Sequence, residues 1–167
     1  MSLAEKNEQN LKNEMSKLKN EVTLKIFTDA KSNDDGQKTR RCMACERTLN
    51  TLNQLALFSN GKLTIEEFST EEDPQKSEKY DIQRIPTLLF LDEEGKELIR
   101  YVAEPQGGLL IPFLITLQIY SGKHSYYRDA IKGNLKNIED SKIEVFITQT
   151  CPYCPQILPI VTEIELK

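Results

Sequence analysis

The sequence predicts an α/β fold: a central mixed sheet flanked by helices, followed by the first strand and helix of a second unit of the same kind. Three observations carry this. Strand and helix signals follow one another as strand, helix, strand, helix, strand, strand, helix, and then, after a polar connector, strand and helix again. An apolar strand that leads into Cys-x-x-Cys at a helix start occurs twice, at Cys42-Met43-Ala44-Cys45 and at Cys151-Pro152-Tyr153-Cys154. Phe27 and Phe146 hold the same place in those two strands and stand 119 residues apart, the length of one unit plus a connector, so the pattern reads as an internal repeat.

Residues 1–20 read as a polar N-terminal helix with a thin apolar stripe of Leu11, Met15 and Leu18. Residues 21–122 make the complete unit. Its first strand, 22–27, alternates and then turns fully apolar at Ile26-Phe27. A long polar loop from Asp29 to Arg41 follows, with a composition that predicts mobility. Cys45, Leu49, Leu52 and Ala56 then recur on one helix face, and Asn60-Gly61 stops that helix. Leu63 and Ile65 open a strand. Asp73-Pro74 is a helix-start pair, and a short helix runs toward Tyr80.

The apolar run Thr87-Leu88-Leu89-Phe90-Leu91 predicts a strand covered on both faces. Asp92-Glu93-Glu94-Gly95 turns the chain into a returning strand from Glu97. A helix from about Leu109 is ended by Gly122, and residues 123–140 form a connector helix weakened by Gly133. Residues 141–167 start the second unit, with a strand over 143–147 and a helix at the second cysteine pair that Pro159 should kink or shorten.

The chain has 167 residues, 38% apolar and 29% charged, with a net charge of −4, which suits a globular protein and excludes wholesale disorder. No basic stripe with interleaved aromatics appears, so no nucleic-acid partner is expected. The first twenty residues lack an apolar signal region, and the longest apolar stretch, 109–119, is too short to span a bilayer. No membrane association and a cytoplasmic location are therefore expected.

Two Cys-x-x-Cys pairs and no other cysteine point to redox chemistry or metal rather than to a secreted disulfide framework. At a helix N-terminus, unpaired N–H groups and the helix dipole favour the thiolate of the first cysteine, and the second lies one turn on. Cys42 and Cys151 are thus the expected attacking thiols, and Cys45 and Cys154 the resolving ones. Arg40 and Arg41 are expected to favour the Cys42 thiolate further. The rival is a four-cysteine zinc or iron–sulfur centre, which would require the two pairs to meet; no residue is assigned to metal. The only histidine, His124, reads as a surface residue.

The segment Lys79-Tyr80-Asp81-Ile82-Gln83-Arg84-Ile85-Pro86-Thr87-Leu88-Leu89-Phe90 resembles the thioredoxin segment that carries a cis-proline, and Pro86 follows Cys42 by 44 residues, close to that family's separation. Val145-Phe146-Ile147-Thr148-Gln149-Thr150-Cys151-Pro152-Tyr153-Cys154-Pro155 resembles a glutaredoxin active site. Two such units in tandem resemble the protein disulfide oxidoreductases associated with thermophiles, within the thioredoxin superfamily.

The resemblance implies a thiol–disulfide oxidoreductase that reduces, forms or exchanges protein disulfides. Pro86 would be cis, and Ile85 would offer its backbone to an extended substrate as an added strand. The implied partners are protein or peptide disulfides and a thioredoxin-reductase-like electron donor. No cofactor beyond the cysteine pairs is expected. Pro152-Tyr153 reads either as a helix-start dipeptide or as one that tunes the potential and touches glutathione. Two alternatives stay open: an electron-relay module for a peroxidase, and a non-catalytic scaffold for metal or peptide.

The chain also departs from the family. Arg41 and Thr150 stand where a Trp usually precedes the pair. Thioredoxins bury an acid one residue before the positions of Phe27 and Phe146; here Ile26 and Val145 stand there, so proton transfer by a buried carboxylate is not expected. The sequence ends at Lys167, 16 residues after Cys151, so the second unit lacks its own cis-proline and hairpin, and self-association through that incomplete unit is an expectation.

Overall fold

Alternation in Val22-Thr23-Leu24-Lys25 followed by Ile26-Phe27 gives β1 (Val22–Thr28), whose apolar side chains are all buried. The computed structural model, which describes residues 3–135, 141–148 and 150–166, places this strand inside a four-stranded sheet. Its neighbours are β4 (Leu63–Ser69), parallel, and β5 (Thr87–Leu91), antiparallel; β6 (Glu97–Tyr101) pairs antiparallel with β5 at the edge. The order is β4-β1-β5-β6. β5 is buried at every position, in keeping with its nearly continuous apolar sequence, whereas β1 leaves Thr23 exposed. Phe27, Leu89 and Leu91 form the core of one face, with Phe68, Tyr80, Ile82 and Ile85 packed against it.

The crossover between β1 and β4 carries α2 (Met43–Phe58), which buries Cys45, Leu49, Leu52 and Leu55 as one stripe. Asn60 and Gly61, both at positive φ, end it. α3 (Pro74–Lys79) starts on its proline, where the missing N–H is no loss. The β5–β6 hairpin closes through Asp92 N–H to Lys96 O at 2.9 Å, with Gly95 at positive φ. The Tyr80 hydroxyl donates to Gly95 O at 3.3 Å, and Arg100 donates to the carbonyls of Tyr80 and Asp81, so the stretch that leads to Pro86 is tied to this hairpin.

The polar loop from Asp29 departs from the expectation of a plain mobile segment. It contains a two-stranded ribbon of β2 (Lys31–Ser32) and β3 (Lys38–Thr39). Acidic residues just after β4 hold it: Glu72 accepts from Ser32 N–H at 2.6 Å, and Glu71 pairs with Lys31 at 2.5 Å. No local sequence signal announces these tertiary ties.

The described chain divides into two compact units, 21–105 and 1–20 with 106–167. The elements above belong to the first. The second is helical: α1 (Leu3–Met15), α4 (Leu110–Tyr120) after a 3₁₀ turn at Gly107–Leu109, α5 (Arg128–Leu135) and α6 (Cys154–Glu165). Gln118 donates to Glu14 O at 3.0 Å, fixing α4 to α1. Buried Thr116 and Thr162 hydroxyls meet at 3.2 Å between α4 and α6.

α6 continues through Pro159 rather than stopping at it. Residues 143–147, expected as a strand, form none, and Phe146 is 90% exposed. A strand needs a hydrogen-bonding neighbour, and no described strand pairs with this segment. The end of the expected connector helix, residues 136–140, lies outside the described residues. Among the described residues, no helix is long and apolar enough to cross a membrane.

Candidate active site

Helix α2 begins where the ribbon ends, and Cys42 is its N-cap, with extended backbone. Its Sγ accepts from the Cys45 N–H at 3.0 Å, as a capping oxygen would. The Cys-x-x-Cys spacing brings the two residues one turn apart, and they are joined as a disulfide with Cα atoms 5.2 Å apart. Burial divides them. Cys45 is 0% exposed, whereas Cys42 is half-buried and is followed by an exposed Met43. An incoming group meets the Cys42 sulfur first, and the Cys45 sulfur stands behind it.

The first strand delivers a residue that sequence reasoning left in the loop. Asp29, directly after β1, is 8% exposed, and its Oδ2 accepts from the backbone N–H groups of Arg41 at 3.1 Å and Cys42 at 3.0 Å. A carboxylate oxygen of Asp29 and the two sulfurs lie within 4.8 Å of one another, while Oδ1 is buried with no hydrogen-bond partner. A buried carboxylate therefore does stand at this site, three residues after the position, Ile26, where the family resemblance looks for one. β1 ends at Thr28, and Asp29 leaves the sheet toward the helix start, a placement the sequence does not signal.

Arg40 is held rather than free. Its Nε and Nη2 donate to Glu67 at 2.6 and 2.7 Å, and its Nη1 to Glu46 at 2.9 Å. Burial alone would raise the Glu67 pKa, but hydrogen bonds from Arg40 and Thr28, with the charges of Arg40 and Lys38, hold it at about 2. The same pairing raises the Arg40 pKa. Arg41, exposed, pairs with Glu71 at 2.6 Å. Both guanidinium groups thus already answer carboxylates of or just after β4, and their visible effect is to anchor the backbone that presents Cys42.

The Ile85–Pro86 bond is cis; Pro86 is buried, and Ile85 packs partly buried on the Phe27, Leu89 and Leu91 cluster. The Thr87 hydroxyl donates to Arg84 O at 2.6 Å across this turn. In the other unit, Cys151 is half-buried and its N–H donates to Thr148 O at 3.3 Å, while Cys154 is the first residue of α6. The Cys154 side chain lies outside the described residues.

The fold has known counterparts. A protein disulfide oxidoreductase from Aeropyrum pernix superimposes with a TM-score of 0.75 at 25% identity, over 98% of this chain and 68% of that one. This is a thioredoxin fold. The N-terminal domain of the alkylhydroperoxide reductase subunit AhpF from Enterococcus faecalis superimposes with a TM-score of 0.74 at 23% identity, over 96% of this chain and 73% of that one. No family model matches the chain, and none of the curated proteins does. Within this fold, the Cys42–Cys45 disulfide at the start of α2 supports a thiol–disulfide redox function.

Proposed function

We propose that the chain is a thiol–disulfide oxidoreductase acting on protein or peptide disulfides, with Cys42 attacking and Cys45 resolving. The observation that carries this is the unequal burial of two cysteines joined at a helix N-terminus. In the reducing direction the Cys42 thiolate attacks a substrate disulfide. One substrate thiol leaves, taking a proton from solvent, and a mixed disulfide remains. The Cys45 sulfur, having lost its proton, attacks the Cys42 sulfur; the second substrate thiol leaves and the Cys42–Cys45 bond forms. A dithiol donor then reduces that bond. The helix start favours the Cys42 thiolate. Ile85, before the cis bond, offers its backbone to an extended substrate.

The likeness to the Enterococcus faecalis AhpF domain favours a second reading, in which the disulfide served belongs to a redox partner such as a peroxidase. The Cys151–Cys154 pair is a second exchanging dithiol in either case. A cytoplasmic location, a thioredoxin-reductase-like donor, glutathione contact at Pro152-Tyr153 and self-association through residues 141–166 belong to the same reading. Reduction of insulin by the full chain with dithiothreitol tests it: activity well above the uncatalysed rate is expected, and its absence, with Cys42 shown to be reduced, refutes the assignment.

A further inference from the structure

The buried oxygen of Asp29 calls for an explanation. A carboxylate oxygen removed from water without a partner is costly, and native proteins rarely leave one unless a ligand or a reaction uses it. Here the other oxygen is fixed by two backbone N–H groups, so the carboxylate is oriented before anything arrives. One carboxylate oxygen and the two sulfurs of Cys42 and Cys45 lie within 4.8 Å of one another. Once the disulfide opens, two thiolates and a carboxylate would share one small space. The adjacent cations do not offset that charge, because Arg40 is bound to Glu67 and Glu46, and Arg41 to Glu71.

We propose that in the reduced state Asp29, Cys42 and Cys45 form a three-ligand site for zinc. Two thiolates and one carboxylate are a donor set this borderline-soft ion accepts. Zinc bonds of about 2.3 Å to sulfur and about 2.0–2.2 Å to oxygen in a tetrahedron put the donors roughly 3.5–3.8 Å apart, within the observed spread. Small rotations of the two cysteine side chains reach that spacing once they are no longer bonded. The outer shell is already in place: Arg41 and Cys42 N–H groups hold Asp29, and Cys45 N–H donates to Cys42 Sγ. Half-buried Cys42 leaves the fourth position to water.

The binding step moves no electrons: Zn²⁺ enters, two thiols become thiolates, and two protons pass to solvent. Oxidation by an incoming disulfide takes two electrons from the thiolates, forms the Cys42–Cys45 bond, turns the incoming disulfide into two thiols with protons from solvent, and releases the ion. Zinc would thus hold the dithiol reduced and slow its exchange. The proposal rests on the reversible dithiol of the previous section but is tested apart from it.

The reduced full chain is titrated with zinc against a chromophoric chelator. One ion lost in Cys42→Ser is expected, with a 10- to 100-fold weaker affinity in Asp29→Asn, which keeps the shape of the side chain. X-ray absorption at the zinc edge of the reduced parent needs no variant, and should show two sulfur and two oxygen neighbours. Insulin reduction by metal-free protein is measured in parallel, so a failed exchange assay and a failed zinc site are told apart. Zinc surrounded by four sulfurs, no zinc uptake by an exchange-active reduced chain, or an Asp29→Asn variant that binds zinc as tightly as the parent would each overturn the proposal. In the last case, a slowed second exchange step would make Asp29 a proton acceptor for Cys45 and not a ligand.

Discussion

Glu67→Gln should destabilise the thioredoxin-fold unit by about 1–3 kcal/mol at pH 7, because it leaves a 9% exposed Arg40 side chain without its main counter-charge. The size follows from the carboxylate itself. Holding Glu67 at about 2 rather than 4.5 corresponds to at most about 3.5 kcal/mol, at roughly 1.4 kcal/mol per tenfold change in proton affinity. Solvent at the edge of the pair screens this, and Glu46 still serves Arg40, so about 1–2 kcal/mol is expected to be specific to the charge.

The pH dependence has a definite sign. A carboxylate whose folded pKa lies below its unfolded pKa stabilises fully above the unfolded value and loses that contribution as pH falls through the folded value. The gap between parent and variant should therefore be widest above pH 4.5 and close as pH falls toward 2. Urea unfolding of the oxidised proteins by circular dichroism, at several pH values from 7 to 3, measures it. Equal midpoints at pH 7, or a gap that stays constant with pH, would refute the argument. Because Arg40 anchors the loop that leads from β3 to Cys42, the variant should also exchange disulfides more slowly at unchanged cysteine content.

Other expectations follow from the same geometry. Cys42→Ser should lower insulin reduction by more than about 100-fold, since it removes the attacking sulfur of the Cys42–Cys45 pair; parent-like activity would show the Cys151–Cys154 pair working unaided. Cys45→Ser should trap a mixed disulfide at Cys42, seen as an adduct by mass spectrometry, and a clean spectrum would count against the order of attack. Phe27→Ala, in the centre of the core face, should cost about 3–5 kcal/mol in unfolding free energy. Burial pushes the Tyr101 phenol up to about 12, so its contribution to stability holds below pH 10 and is lost as pH rises through about 12; ultraviolet titration should show a late tyrosine that ionises with unfolding.

The central strands were legible because their chemistry is local. Alternation marks β1, and Thr87–Leu91, apolar at every position after Thr87, is buried throughout. The dithiol was legible for the same reason, since its function needs only a helix start and a three-residue spacing. Asp29 was not. Its burial comes from N–H groups twelve and thirteen residues on, and nothing near it in sequence sets it apart from Asp34 or Asp35. The ribbon within 31–39 depends likewise on Glu71 and Glu72, beyond the next strand. The segment 143–147 has a strand's sequence without a strand's neighbour among the described residues, and pairing, unlike propensity, is not a local property. Arg40 and Arg41 read as charges for the thiolate because Glu67, Glu46 and Glu71 could not be placed beside them from sequence.

The unequal burial of the two sulfurs also bears on how the protein would age under peroxide. An exposed thiolate oxidised once becomes a sulfenic acid, and a second oxidation to sulfinic acid is irreversible for most proteins. At Cys42 the first product has Cys45 one helical turn away and shielded from the oxidant, so condensation to the disulfide, with loss of water, competes with the second hit inside the molecule itself. Cys45, fully enclosed, is not attacked directly. The damage that would end the life of a lone exposed cysteine would be turned here into the Cys42–Cys45 disulfide, which a dithiol can reduce.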